Sequence, residues 1–183
     1  MSVGLLIVDV QKDYFPGGKM QLVGSIAASE KIKNVITVFR NNLNPIIHIK
    51  HISIKENASF FIPNTLGIEF HENVNPLKTE TIIQKHYPNS FRDTNLDKIC
   101  KEKEIDCLVI VGMMTHMCID TTTRAAYDLG YKCIVLEDCC ATKDLRYKDI
   151  IIESKDVQAS FLAAIDGTFA RVISSEEYLK EET

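Results

Sequence analysis

Short runs rich in β-branched residues alternate along this chain with longer stretches whose apolar residues recur every three to four positions. That alternation limits the fold more than any other feature, because runs of Val, Ile and Leu with no polar face are how strands read when helices cover both sides of a parallel sheet. The strand candidates are residues 3–9 (VGLLIVD), 45–50 (PIIHIK), 81–84 (TIIQ), 107–112 (CLVIVG), 132–137 (KCIVLE) and 169–173 (FARVI). Helical spacing marks 26–42, 94–104 and 116–130, the last stopping at Gly130, and a further helix is expected over about 147–165. Residues 52–80, with Pro63, Gly67 and Pro76, lack any period and read as a long loop of the kind that borders a site. The pattern predicts an α/β fold with six strands in one domain over 1–183, leaving only the tail SSEEYLKEET irregular.

Several function classes fall away. A formal charge of −4 with scattered lysines gives no electrostatic footprint for nucleic acid. The opening MSVGLLIVDVQKDYF has no basic leader, and its short apolar run meets an acid at once, so it reads as a strand, not as a signal peptide or membrane span. A cytoplasmic protein with reduced thiols is therefore expected. Cys100, Cys107, Cys118, Cys133, Cys139 and Cys140 contain no C-x-x-C pair, which removes zinc-ribbon and thioredoxin readings.

Open parallel sheets bind ligands beyond the carboxyl ends of their strands. Asp9 ends the first strand candidate, Lys85 follows TIIQ, and Cys118 lies on the turn and helix after CLVIVG, so three reactive groups are expected at one sheet edge. A thiol attacks as thiolate, and a cation or a helix N-terminus lowers its pKa. Cys118 has the prospect of both, with Asp9 to carry the proton. Singly, each residue has a plainer reading: a loop cap, a solvated lysine, a packed cysteine. Phe15, Tyr87, Phe91, His116 and Met117 adjoin these motifs and are candidates to line a pocket.

The stretches LLIVDVQKDYFPGG, QKHYPNSF, VIVGMMTHMCIDTTTRAAYDLGY and VLEDCCAT occur in that order between Val3 and about Val172. Together they resemble the isochorismatase-like cysteine hydrolase superfamily, which includes nicotinamidases, N-carbamoylsarcosine amidohydrolases, ureidoacrylate and biuret hydrolases, and streptothricin hydrolases. The wording GMMTHMC and CIDTTTR is most similar to metal-free, streptothricin-hydrolase-like members. The resemblance implies a three-layer α/β/α sandwich around a six-stranded parallel sheet, Asp9, Lys85 and Cys118 as catalytic residues, and a homodimer or larger assembly acting on a small molecule. It also implies a cis peptide between Met113 and Met114, which turns the Met114 N–H toward that of Cys118 to form an oxyanion hole. For that hole to stay open, the Thr115 hydroxyl must bond the Met117 N–H or point elsewhere and leave the Cys118 N–H alone.

Nicotinamidases in this family hold a divalent metal through Asp-x-His and further histidines, whereas this chain reads HIKHISIK there. His48 and His51 are an odd offset apart on a strand, which places them on opposite faces, so no metal and no other cofactor is expected. Family members that hydrolyse the vinyl ether of isochorismate do not need a covalent thiol, so the presence of Cys118 favours attack on an amide or ureide carbonyl through a thioester. A non-covalent vinyl ether hydrolase and a catalytically silent binding protein are the alternatives. Cys139 and Cys140 have no role on this reading.

Overall fold

The computed structural model describes residues 2–181. In chain order the strands are β1 (Ser2–Val8), β2 (Ile46–His51), β3 (Thr81–Lys85), β4 (Ile105–Met113), β5 (Lys132–Ala141), β6 (Leu145–Tyr147), β7 (Ile150–Ile152) and β8 (Arg171–Ile173). The α-helices are α1 (Ser25–Asn41), α2 (Leu96–Glu102), α3 (Asp120–Asp128), α4 (Ser154–Ile165) and α5 (Ser175–Glu181). Strands β1 to β5 and β8 form one parallel sheet of six in the order β3-β2-β1-β4-β5-β8. The chain builds outward from β1 to β3 and then crosses to the other side of β1 to start β4. The carboxyl ends of β1 and β4 are thus the switch point where such sheets carry their ligands.

Because side chains alternate along a strand, each central strand feeds both faces. Leu5 and Ile7 of β1 join Val109 and Val111 of β4 under Ile32, Val35, Ile36 and Phe39 of α1. Leu6 and Val8 join Leu108 and Ile110 under Leu96 of α2 and Leu162 and Ile165 of α4. The result is the three-layer sandwich implied by the family resemblance, and β1 and β4 read as unbroken apolar runs because both their faces are covered. No described helix is long and apolar enough to cross a membrane.

Three elements differ from the sequence reading. The helix expected over about 147–165 begins only at Ser154, because the run Ile150–Ile152 pairs antiparallel with Leu145–Tyr147 across a turn at Lys148, whose φ is +54°. Three consecutive β-branched residues favour that ribbon over a helical turn. The helix expected over 116–130 opens as a π-turn over Thr115–Ile119 and becomes α3 only at Asp120. The tail is also not irregular: α5 buries Tyr178 against Phe39, and Arg171 pairs with Glu177 and Glu181; residues 182–183 of that stretch lie outside the described residues.

Strand β5 is longer than its apolar run, continuing through Cys139 and Cys140. Ile110 of β4 pairs with Val135 but Gly112 pairs with Cys140, so five positions of β5 span two of β4. The irregularity coincides with a close approach of β4 to β1. Gly112 has φ +125°, and a Cβ there would stand 2.0 Å from the Val8 carbonyl oxygen. Only glycine tolerates both conditions. Gly112→Ala is therefore expected to cost about 3 kcal/mol or more through backbone displacement. A loss below about 1 kcal/mol in urea unfolding would show that β1 and β4 separate here at little cost.

Candidate active site

Strand ends bring the reactive groups together. Asp9 leaves β1 with φ +54°, a left-handed conformation that aspartate tolerates better than most residues, and it is fully buried. Lys85 is the last residue of β3 and pairs in register with His51, the last residue of β2. After β4 the Met113–Met114 peptide is cis, and the π-turn then carries Cys118 back toward the sheet edge. Asp9, Lys85 and Cys118 are all at most 4% exposed.

The Lys85 ammonium is the hub. Its Nζ lies 2.7 Å from Asp9 Oδ2, 3.0 Å from His51 Nδ1, 3.0 Å from the Tyr87 carbonyl oxygen and 3.2 Å from Cys118 Sγ. An ammonium has three N–H donors, so four acceptors compete for them. The contact to Asp9 is an ion pair, and neither buried carboxylate oxygen receives a well-directed hydrogen bond, which leaves Asp9 with acceptor capacity.

The charges are strongly coupled. Burial alone would lower the Lys85 pKa, but the Asp9 charge and the Cys118 sulfur outweigh it and the net direction is upward, so the ammonium stays charged. The Cys118 thiol is pushed well up, first by burial and then by Asp9, and Lys85 offsets only part of this. This corrects the expectation of a low-pKa thiol at a helix start. The sulfur is enclosed and a carboxylate shares its site, so the resting group is a protonated thiol beside an acceptor. Burial lowers His51 to about 4, against the pull of Asp9, which keeps its ring neutral at neutral pH.

The turn around Cys118 is held from behind. Met114 O accepts from Met117 N (3.0 Å) and Ile119 N (3.2 Å), while Thr115 Oγ1 donates to Gln158 Oε1 at 2.6 Å and contacts Ala141 O at 3.3 Å. Gln158 in turn donates to the carbonyls of Glu137 and Cys140. The Thr115 hydroxyl thus points away from the Cys118 N–H. Among the described residues the Met114 N–H has no acceptor.

A cavity of about 750 Å³ opens onto Cys118 and Met114. Its walls are largely Tyr14, Phe60, Phe61, Tyr87, Pro88 and Met117, with Ser53 to Phe61 of the long loop forming one side, as its lack of a period suggested. Asp13 fixes that side by accepting the Phe61 N–H at 2.6 Å. Tyr87 and Met117 are therefore where the sequence placed them, but three other pocket candidates are not. Phe15 stacks on His71 at 3.8 Å and lines a separate groove, because the tight turn Lys12–Tyr14 aims Tyr14 inward and its neighbour away. His116 turns its Nδ1 to Thr142 Oγ1 at 2.6 Å, and Phe91 stacks on Tyr131 in the core beneath α2. Tyr14, Phe60 and Phe61 carried no signal in the sequence, and His51 was weighed there only as a metal ligand. His51 was within reach, since the strand-end rule that selects Asp9 and Lys85 applies equally to the residue closing β2.

Donor atoms of Asp9, His51 and Cys118 lie within 4.8 Å of one another, which is metal-like spacing. The donor set does not fit a metal, because Lys85 Nζ already sits in contact with all of them and a second cation would face its full charge.

A family model described as the isochorismatase domain matches residues 3–177. An isochorismatase family protein of Bacillus subtilis, YddQ, is 45% identical over 98% of this chain and its own whole length. A solved structure from Oleispira antarctica, assigned to the isochorismatase hydrolases, superposes with a TM-score of 0.95 at 42% identity, covering 98% of this chain and 96% of its own. Streptothricin hydrolase of Streptomyces noursei is 25% identical over 77% of this chain and 50% of its own length.

The opposing effects of Asp9 and Lys85 on the thiol set the signs of a titration. Asp9→Asn removes the anion and should lower the apparent pKa for alkylation of Cys118 by iodoacetamide, whereas Lys85→Met removes the cation and should raise it. Peptide mass spectrometry across pH reads both, and parallel shifts in the two variants would mean that the charges act on folding and not on the sulfur.

Proposed function

The chain belongs to the isochorismatase family of hydrolases, and from that premise we propose that it cleaves a C–N amide or ureide bond of a small molecule through a thioester on Cys118. One observation carries this reading: a single ammonium touches both a carboxylate and a thiol at the sheet edge, with the thiol lining a cavity of about 750 Å³. In an ether hydrolase without a covalent step, no cation would be needed 3.2 Å from the sulfur. In a thiol hydrolase, the cation stabilises the thiolate as it forms.

As Sγ attacks the carbonyl carbon, its proton passes to Asp9 and the carbonyl electrons move onto oxygen, which the N–H groups of Met114 and Cys118 hold. Collapse of that intermediate breaks the C–N bond, and Asp9 returns the proton to the leaving amine or ammonia. Water then enters, Asp9 takes its proton, and hydroxide attacks the thioester. Collapse of the second intermediate releases the acid and restores the thiol. Asp9 acts as base, acid and base again, while Lys85 keeps its proton throughout. Because the thiol rests protonated, transfer to Asp9 accompanies attack and does not precede it.

Cys118→Ala should lower amine or ammonia release from a panel of small amides and ureides by about a thousandfold or more, the usual cost of losing a nucleophile. Full activity in that variant would exclude the thioester and favour ether hydrolysis without a covalent step. Ligand binding with no release in either protein would favour a silent binding protein.

A further inference from the structure

His51 is the one member of the buried cluster to which the reaction above gives no task. Its backbone is fixed on both sides by Gln11, whose Nε2 donates to His51 O at 2.9 Å and whose Oε1 accepts from His51 N at 2.7 Å. Its ring stacks on Phe61 with centroids 5.5 Å apart. Nδ1 faces Lys85 Nζ at 3.0 Å, and an ammonium can only donate, so Nδ1 must carry the lone pair and the ring proton must sit on Nε2. Asp9 Oδ2, at 3.8 Å from Nδ1, is too far to reverse that assignment. Among the described residues Nε2 has no partner, it is not sealed from solvent, and the residue lines the cavity beside Cys118.

We propose that His51 is a specificity-determining residue whose fixed Nε2–H donates to an acceptor oxygen or nitrogen in the acyl part of the substrate, close to the scissile carbonyl. This rests on the thioester reading above and narrows it to amides and ureides that carry such an acceptor. The ring reads the substrate with one nitrogen and positions Lys85 with the other. A cationic group at that place meets a donor and is rejected, and a purely apolar acyl chain leaves the donor unpaired, which is costly in an enclosed site.

Two isosteric activated esters test this without knowledge of the natural substrate: p-nitrophenyl methoxyacetate, with an ether oxygen near the carbonyl, and p-nitrophenyl butyrate, with a methylene there. In each, Sγ attacks the ester carbonyl, the bond to p-nitrophenolate breaks, the thiol proton passes to Asp9, and the burst of nitrophenolate reports acylation of Cys118. After division by the rates with hydroxide, the wild type should prefer methoxyacetate by about fivefold to tenfold, the worth of one hydrogen bond. Asparagine can replace the Nδ1 acceptor but does not reach the Nε2 position, and glutamine does the reverse. His51→Asn should therefore bring the preference near one. His51→Gln should keep a preference while acylation slows for both esters and its pH profile shifts, because Lys85 has lost an acceptor. A ring with a merely structural role would slow both esters in parallel and leave the ratio untouched in both variants, which overturns the proposal, as does a wild type without preference. Nitrophenolate release from the wild type no faster than from Cys118→Ala rejects the thioester reading itself, and the proposal with it.

Discussion

Everything at the sheet edge depends on the ion pair between Asp9 and Lys85, 2.7 Å apart and shut away from water. A buried pair of this kind gains little over apolar packing, yet losing one member costs about 3–5 kcal/mol because the other is stranded. It acts as a specification more than as a source of stability. The ammonium is positioned only where β3 and β2 deliver Lys85 and His51 in register and the exit from β1 supplies Asp9, and the turn after β4 must bring Cys118 within reach of the same nitrogen.

The fold supplies that delivery by making the centre of the sheet rigid and its exit loops irregular. Strands β1 and β4 are apolar on both faces and fully covered, so they have no freedom of register. Beyond them come a left-handed aspartate, a cis peptide and a π-turn in close succession. Each departs from regular geometry, and the first and last are held by specific contacts. Asp9 has its ion pair. Behind the turn, Thr115 and Gln158 bond to carbonyls of the extended end of β5. That connection gives the Cys139–Cys140 segment a structural task that its sequence did not suggest: its bulged path puts carbonyl oxygens where the turn needs acceptors.

The sheet and the three reactive residues were legible because both follow from one-dimensional rules. Apolar runs marked β1, β2, β4 and β5, and strand ends marked Asp9, Lys85 and Cys118. What was lost depends on direction within short irregular segments. Tyr14 and Phe15 are neighbours, as are His116 and Met117, and in each pair a local turn sends one side chain into the cavity and the other away. No periodicity encodes that choice. The thiol was misjudged for a different reason: the identity of its neighbours was readable, but the depth of burial that decides between Asp9 and Lys85 was not. The ribbon of β6 and β7 was missed because the apolar face of VQASFLAAI was extended backward over the triple isoleucine, whose β-branched side chains favour a strand.

The crowding of acceptors around one ammonium has a consequence for the arithmetic of charge. With Asp9 ionised, Lys85 protonated and Cys118 a thiol, the cluster is neutral as a whole. Moving the sulfur's proton to Asp9 leaves it neutral still, with the negative charge merely transferred from one contact of Nζ to another. Groups as deeply buried as Asp9 and Lys85 have little water to hydrate a newly created ion, and that cost normally opposes ionisation there. Here no ion is created. For the proposed thioester route, the enclosure that holds the thiol protonated at rest therefore does not obstruct activation, because the cation is shared.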